Sequence, residues 1–205
     1  MKTILLLIVL LISPVGAVEP RVLLEEPFTS DLSKDWFWGL GTWKAEKGIL
    51  RGFESGPRRH GPVKVRRLPL GDAVVEFEFR LEGKATFAGI IFNGSQERGH
   101  IVHLVMAKDA IRIISHPTKG ETKELLKVPA KLAAGEWHRV RLELRGTSLS
   151  AVIDDQKVSA EHACLGEEKL TFGLGGDSGG PAYNSSGELV GIAVAVTPNF
   201  PSSVG

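Results

Sequence analysis

Ser178 lies in the glycine-rich stretch "GLGGDSGGPAYNSSGELVGIAVAV" (Gly173–Val196), and its hydroxyl is a candidate nucleophile. A serine becomes a nucleophile only when a general base takes its proton and a further group orients that base. The nearest histidine, His162, lies 16 residues before Ser178 in the chain. The other histidines lie further upstream in the sequence: His60, His100, His103, His116 and His138. The serine therefore needs a partner that its own neighbourhood in the sequence does not supply.

The hexapeptide Gly176–Pro181 resembles the segment around the nucleophilic serine of trypsin-like proteases, and the likeness continues to Val196. The resemblance implies an oxyanion hole made by the backbone N–H groups of Gly176 and Ser178. The segments that carry the histidine and the aspartate in that family have no counterpart here. We therefore expect no protease activity. We interpret residues 176–205 as a protease-like tail fragment that was joined to the domain at a gene or reading-frame junction. The alternative is that the likeness is a coincidence within a glycine-rich loop.

The first residues predict export. Met1-Lys2 is followed by the apolar run "TILLLIVLLI" and by small residues that end at Ala17, as in a secretory signal peptide (residues 1–17). The apolar run is shorter than the roughly 20 residues of a membrane-spanning helix. We therefore predict a secreted or periplasmic protein with no membrane association after signal removal. The single cysteine, Cys164, excludes an internal disulfide, and we expect it to be a buried apolar residue.

The charge balance argues against a nucleic-acid partner. Without Lys2 of the signal, the chain has 24 basic and 24 acidic residues. The segment Gly56–Arg67, "GPRRHGPVKVRR", is locally basic, and we interpret it as a solvated loop, with an anion site as the alternative. No cofactor is predicted, no cluster has the spacing of a metal site, and nothing in the sequence supports a calcium site.

Residues 22–175 carry the signals of an all-β domain. In "AVVEFEFRLEG", Val75, Phe77, Phe79 and Leu81 alternate with charged residues, and "WHRVRLELRG" repeats the pattern with Val140, Leu142 and Leu144. A period of two residues predicts strands with one buried face and one polar face. Many short strands that follow one another at spacings of about 8–12 residues predict a β-sandwich. "GTWKAEKGILRGF" predicts a hairpin with its turn near Glu46–Gly48.

Four stretches resemble a known family in their order and spacing: "GTWKAEKGILRG", "LPLGDAVVEFEFRLEG", "LAAGEWHRVRLELRGTSLSAVIDDQKV" and "LTFGLGG". They are similar to concanavalin-like, laminin-G-like jelly rolls. The greatest likeness is to the 3-keto-disaccharide hydrolase domain family, which is related to family 16 glycoside hydrolases. The resemblance covers about residues 28–175 and implies an all-β jelly-roll sandwich. The usual closing strand is absent, and we expect Glu188–Val196 to replace it as an edge strand.

The resemblance implies a carbohydrate ligand, an extracellular polysaccharide or oligosaccharide. Glycosidases of that kind need two suitably placed carboxyl groups. Glu76 and Glu78 share a strand face, but Arg80 or Leu81 stands where the third family carboxylate would be. We therefore favour a non-catalytic glycan-binding or accessory module. The alternatives are a glycoside-active enzyme that uses Glu76 and Glu78, or a serine hydrolase that uses Ser178.

Sugar sites combine aromatic platforms with a few polar groups. The candidates here are Trp36 and Trp38 of "KDWFWGLG" with Phe37 between them, and Asn93 and His103 on the sheet. In the alternative interpretation, Trp36 covers the edge of the sandwich. Trp43 and Trp137 are expected to fill the core.

Overall fold

Two antiparallel β-sheets form the described part of the protein. The computed structural model describes residues 21–53, 61–82, 85–175 and 186–196, the last range as backbone alone. The eight-stranded sheet has the order β13-β12-β11-β6-β15-β4-β3, and β1 also pairs with β15. Its strands are β1 Arg21–Glu26, β3 Thr42–Glu46, β4 Ile49–Phe53, β6 Ala73–Glu82, β11 Trp137–Arg145, β12 Ser148–Ile153, β13 Gln156–Glu161 and β15 Ser186–Val196.

The second sheet has seven strands in the order β10-β9-β8-β7-β14-β5-β2. Its strands are β2 Trp38–Leu40, β5 Val63–Leu70, β7 Phe87–Asn93, β8 His100–Ala107, β9 Ala110–Ser115, β10 Lys123–Pro129 and β14 Lys169–Gly175. The one helical segment within the described residues is a single 3₁₀ turn, Ala163–Gly166. No helix in the described part of the chain is long and apolar enough to cross a membrane.

The predicted alternation is confirmed in β6 and β11. Val75, Phe77, Phe79 and Leu81 are buried, whereas the charged residues between them face outward. The two strands pair so that Val140 lies opposite Phe77, which aligns both apolar faces toward the other sheet. Burial of each such side chain contributes about 1.5–3 kcal/mol.

The core lies between the two sheets and is filled by large apolar side chains. Phe79 of the eight-stranded sheet and Phe92 and Phe172 of the seven-stranded sheet are fully buried or nearly so. Cys164 is buried in the same cluster, as predicted for an apolar cysteine, and burial raises the pKa of its thiol. The predicted turn of the first hairpin is also confirmed, with Lys47 and Gly48 at positive φ between β3 and β4.

Strand β15 corrects the expectation of an edge strand. It lies in the interior of the eight-stranded sheet, where Ser186–Ala195 pairs with β6 along nearly the whole of that strand. On its other side, residues 187–190 pair with β4 and residues 192–196 pair with β1. The run is rich in β-branched and small residues, which suits a strand that has neighbours on both sides.

The basic segment Gly56–Arg67 is also corrected in part. Residues 54–60 lie outside the described residues, but Val63–Leu70 is strand β5 rather than loop. This strand pairs with β14 on one side and β2 on the other. Arg66 and Arg67 therefore have fixed positions on opposite faces of a sheet.

Candidate functional site

The outward face of the seven-stranded sheet brings three of the predicted binding residues together. Cross-strand pairing runs in one row across five strands: Trp38, Val65, Gly173, Ile91 and His103. Residues that pair across strands project from the same side of a sheet. Because Ile90 and Phe92 point into the core, Ile91 and its partners in the row point away from it.

A second row runs beside the first and is polar: Arg67, Thr171, Asn93 and His100 are successive cross-strand partners. We call the two rows together the Trp38 face. The Asn93 amide donates to Oγ1 of Thr171 at 3.0 Å, and its Oδ1 accepts from Nδ1 of His100 at 2.7 Å. These hydrogen bonds fix the orientation of the Asn93 amide between two strands.

The apolar row is closely packed around Gly173. A Cβ at this position would come within 2.8 Å of Cγ2 of Ile91. The glycine therefore lets the Ile91 side chain lie flat over the neighbouring strand. From Trp38 to His103 the row spans about 19 Å, because adjacent strands lie about 4.8 Å apart.

Three histidine rings pack together at the β8 end of the Trp38 face. The centroids of His100, His103 and His116 are 5.1–5.6 Å apart, and Nε2 of His116 lies 3.2 Å from Nδ1 of His103. Burial, with His116 and His100 as further causes, holds the pKa of His103 well below its usual value, so His103 is neutral at pH 7. Within the ranges that the structure describes, no group of three or more His, Cys, Asp or Glu is arranged to hold a metal ion.

Arg98 binds two residues of this histidine cluster through their backbone carbonyl groups. Its guanidinium donates to the carbonyl oxygen of His100 at 2.6 Å and to that of His116 at 2.8 Å. It also pairs with Glu167, which raises the pKa of Arg98 and lowers that of Glu167. A Cβ at Gly94 would lie 2.6 Å from Cγ of Arg98, so the glycine leaves room for the arginine stem.

The opposite end of the Trp38 face is aromatic and cationic. Trp38 is 47% exposed, and Phe37 beside it is 44% exposed. The guanidinium carbon of Arg67 lies 4.1 Å from the centroid of the Phe37 ring. Within the described part of the chain, Arg67 has no carboxylate partner. An exposed indole beside a stacked guanidinium offers a flat apolar surface and a set of hydrogen-bond donors.

Trp36 is not part of this surface, and its prediction as a sugar platform is wrong. It is 4% exposed and packs edge-on against Phe172 at 5.5 Å, with Phe28 at 6.3 Å. Its indole N–H donates to Oε2 of Glu26 at 3.1 Å, and Arg66 lies over the ring. Trp36 is buried because the loop before β2 turns it toward the core.

Glu76 and Glu78 lie on the outward face of the other sheet. Arg141 binds Glu76 at 2.5 Å, and Arg139 binds Glu78 at 3.1 Å, each across the β6–β11 pair. Both carboxylates accept hydrogen bonds from guanidinium groups. Each carboxylate therefore has an arginine partner across the β6–β11 pair.

Trp137 lies on the same sheet face as these glutamates. Its ring is 36% exposed and lies against Arg80 at 4.7 Å, so the expectation that it fills the core is wrong. Trp43 is half-buried and packs against the core, and its indole N–H donates to the carbonyl of Leu40. Gly176 and Ser178 lie outside the described residues, so the protease-like interpretation stays a prediction.

Sequence reasoning did not find Arg67, His100 and His116 as members of the site. The bulge between β7 and β8 at Phe92/Asn93 makes His100 the cross-strand partner of Asn93. No pattern of residues in the sequence predicts that shift in register. His116 follows β9 and reaches His103 only through the pairing of β8 with β9. For Arg67, the basic segment Gly56–Arg67 indicated a cluster of cations. The sequence left open whether the segment is a solvated loop or an anion site, and only the position of Arg67 on strand β5 shows where its side chain lies.

Comparison with known proteins supports the same fold class. Residues 85–183 match the family model of the laminin G domain. The carbohydrate-binding module CBM66 from Bacillus subtilis superposes with a TM-score of 0.59 at 14% identity, over 76% of this chain and 92% of that one. The chain therefore has the laminin G-like, concanavalin-like jelly-roll fold.

Two further structures show how widely this architecture is used. A GlcNAcα1-4Gal-releasing endo-β-galactosidase from Clostridium perfringens has a TM-score of 0.61 at 13% identity, over 91% of this chain and 65% of that one. The exoplasmic/lumenal domain of VIP36, in a Ca²⁺/Man3GlcNAc-bound form, has a TM-score of 0.57 at 9% identity, over 81% and 84%. At these identities the likeness shows the fold alone, since one fold serves many functions.

Proposed function

We propose that this chain is a secreted, non-catalytic carbohydrate-binding module whose ligand lies across the Trp38 face. The observation that carries the proposal is the meeting of Trp38, Asn93 and His103 on one sheet face. These residues are far apart in the sequence, and the strand order of the seven-stranded sheet brings them together. The similar structures that bind carbohydrate, CBM66 and VIP36, support the same class of ligand.

The chemistry of the face suits a sugar chain. An exposed indole provides the apolar surface on which a pyranose or furanose ring can stack. The ordered amide of Asn93 and the hydroxyl of Thr171 offer hydrogen bonds in the adjacent row, and they are already oriented by each other. Groups that are oriented before binding lose less conformational entropy when the ligand arrives.

Catalysis is not part of the proposal. The glycosidase alternative depends on Glu76 and Glu78, which form ion pairs on the outward face of the eight-stranded sheet. That face belongs to the other sheet from the one that carries Trp38. The finer assignment to the 3-keto-disaccharide hydrolase family would require these carboxylates to act in the reaction, and their arginine partners count against it.

The test compares two exposed tryptophans on opposite sheets. Intrinsic fluorescence is titrated with a panel of neutral and acidic polysaccharides for the wild type, Trp38→Ala and the control Trp137→Ala. We expect Trp38→Ala to weaken binding about thirtyfold or more, because central aromatic contacts contribute about 2 kcal/mol or more. Trp137→Ala should bind like the wild type. Equal losses in both variants, or no binding to any glycan by folded protein, would contradict the proposal.

A further inference from the structure

We propose, resting on the proposed glycan-binding function, that the ligand of the Trp38 face is an acidic polysaccharide. Its carboxylate or sulfate group would bind the guanidinium of Arg67 while a neighbouring sugar ring stacks on Trp38. Arg67 belongs to β5 and Trp38 to β2, which are adjacent strands.

The first observation is the unequal charge of the two sheets. The seven strands of the Trp38-bearing sheet carry seven lysines and arginines but a single carboxylate, Glu124. The eight strands of the other sheet carry eight basic and nine acidic residues. A chain of balanced total charge thus concentrates positive charge on the sheet that carries the candidate site, which favours an anionic ligand.

Some cations of this sheet are already paired, whereas others face solvent. The buried Arg66 pairs with Glu26 and Asp35, and the buried Lys169 ammonium donates to two backbone carbonyls. On the outward face, Arg112 pairs with Glu124 at 2.5 Å. Arg67 and Lys127 have no carboxylate partner among the described residues, and both are exposed.

The third observation is that Arg67 is held for binding rather than left loose. Its guanidinium stacks on Phe37 at 4.1 Å, and its backbone N–H donates to the carbonyl of Asp35. A stacked guanidinium keeps its donor edge open, and that edge matches a carboxylate or sulfate through two parallel hydrogen bonds. Most surface arginines on the other sheet lack such an opening because their donors already bind glutamates.

The position of Lys127 suggests an extended ligand. Lys127 lies on β10, opposite Arg112 of β9. Strand β10 forms one edge of the sheet, and Arg67 lies near the other edge. Five strand spacings separate the two strands, about 24 Å at about 4.8 Å each. A polymer with an acidic group on many residues could meet both cations while it crosses the apolar row between them. A single acidic monosaccharide is too short to do so.

The experiment uses two pairs of polysaccharides that differ only in charge: polygalacturonate with its methyl ester, and dextran sulfate with dextran. Binding by the full chain is measured by isothermal titration calorimetry at low and high NaCl. We expect the acidic member of at least one pair to bind tenfold or more tightly than its neutral partner, since charge-assisted hydrogen bonds to arginine are strong. The pair that discriminates identifies the acidic group as carboxylate or sulfate. The preference should fall at high salt because exposed charges are screened.

Matched variants localise the effect. Arg67→Gln should remove most of the preference for the acidic polymer, about tenfold in Kd, whereas Arg67→Lys should keep part of it. The control Arg139→Gln removes an exposed arginine from the other sheet and should leave the preference unchanged. Trp38→Ala should weaken binding of the acidic polymer as well, because the contact between the indole and a sugar ring does not depend on charge.

Each other outcome has one meaning. Equal binding of acidic and neutral members would overturn the acidic assignment and leave the glycan-binding function standing. Failure of the folded chain to bind any polysaccharide would overturn both. Binding of a DNA oligonucleotide with the same dependence on Arg67 would assign the cationic site to nucleic acid and overturn the assignment to a glycan. Equal effects of Arg67→Gln and Arg139→Gln would show that net charge alone, and not this site, is responsible.

Discussion

At the scale of single residues, surroundings decide what a side chain can do. Trp36 and Trp38 are two positions apart, yet one is packed against Phe172 and the other is exposed to solvent. Both tryptophans were reasonable sugar platforms from the sequence, because residue type and spacing do not show which side of a loop faces the core. The same holds for Arg66 and Arg67, of which only the second presents its guanidinium outward.

His103 gives a pH prediction at this scale. Its pKa in the folded protein lies well below that of an exposed histidine, with His100 and His116 as its titratable neighbours. In the unfolded chain His103 takes up a proton near pH 6.5, whereas in the folded chain it does so only at lower pH. The contribution of His103 to stability is therefore complete above pH 6.5 and is lost as the pH falls. The expected loss is about 1.4 kcal/mol for each unit by which the pKa is lowered.

Urea unfolding between pH 7.5 and 5 measures this loss. His103→Asn keeps a polar group near Nδ1 but does not titrate, so its free energy of unfolding should depend less on pH than that of the wild type. His162→Asn is the control, since the ring of His162 contacts Sγ of Cys164 and is not one of the three packed rings of the Trp38 face. A pH dependence in His103→Asn as steep as in the wild type would assign the effect to other groups.

At the scale of strands, the predictable elements are those with one wet face. In β6 and β11, apolar residues alternate with charged residues that form ion pairs on the outward side. The sequence therefore predicts both that these segments are strands and which of their residues face the core. β7 and β8 are apolar or neutral on both faces, and β9 has a single charged residue, Arg112. Ile91, Val105 and Ile114 are buried outside the central core cluster. The sequence therefore predicts these strands but not which of their residues form the Trp38 face.

Strand β15 gives a prediction at this scale. A chain that stops at Gly175 leaves β6 and β4 without a neighbour between them and β1 without a partner. Unpaired strand edges inside a sheet expose backbone N–H and C=O groups and promote association between molecules. We therefore expect the 1–175 chain to aggregate. A chain that stops at Val196 keeps β15 and should remain soluble, with the circular dichroism of the full chain.

Size-exclusion chromatography of the two truncated chains distinguishes the outcomes. Aggregation of the shorter chain together with solubility of the longer one would assign a structural role to residues 176–196, whatever their likeness to a protease segment. A soluble, β-rich 1–175 chain would show that the sandwich does not depend on β15.

At the scale of the whole molecule, the jelly roll presents two different outward faces. One is a ladder of paired charges, with Glu76, Glu78 and their arginines compensating each other. The other combines an exposed tryptophan, an ordered amide and an arginine without a carboxylate partner in the described part of the chain. Family likeness predicted the architecture, but strand order and register were needed to show which face offers a ligand unmet interactions.

The most direct test of this account maps where a glycan touches the protein. Backbone amide chemical shifts of the full chain are followed by NMR during separate titrations with oligogalacturonate and with its methyl ester. We predict that the largest changes fall on Trp38–Leu40, Val63–Leu70, Thr171–Gly173 and Asn93–His103, with little change in Ala73–Glu82 or Trp137–Arg145. Changes confined to those last two strands or to the segment around Ser178, or no change with either glycan, would contradict the assignment of the Trp38 face as the binding site.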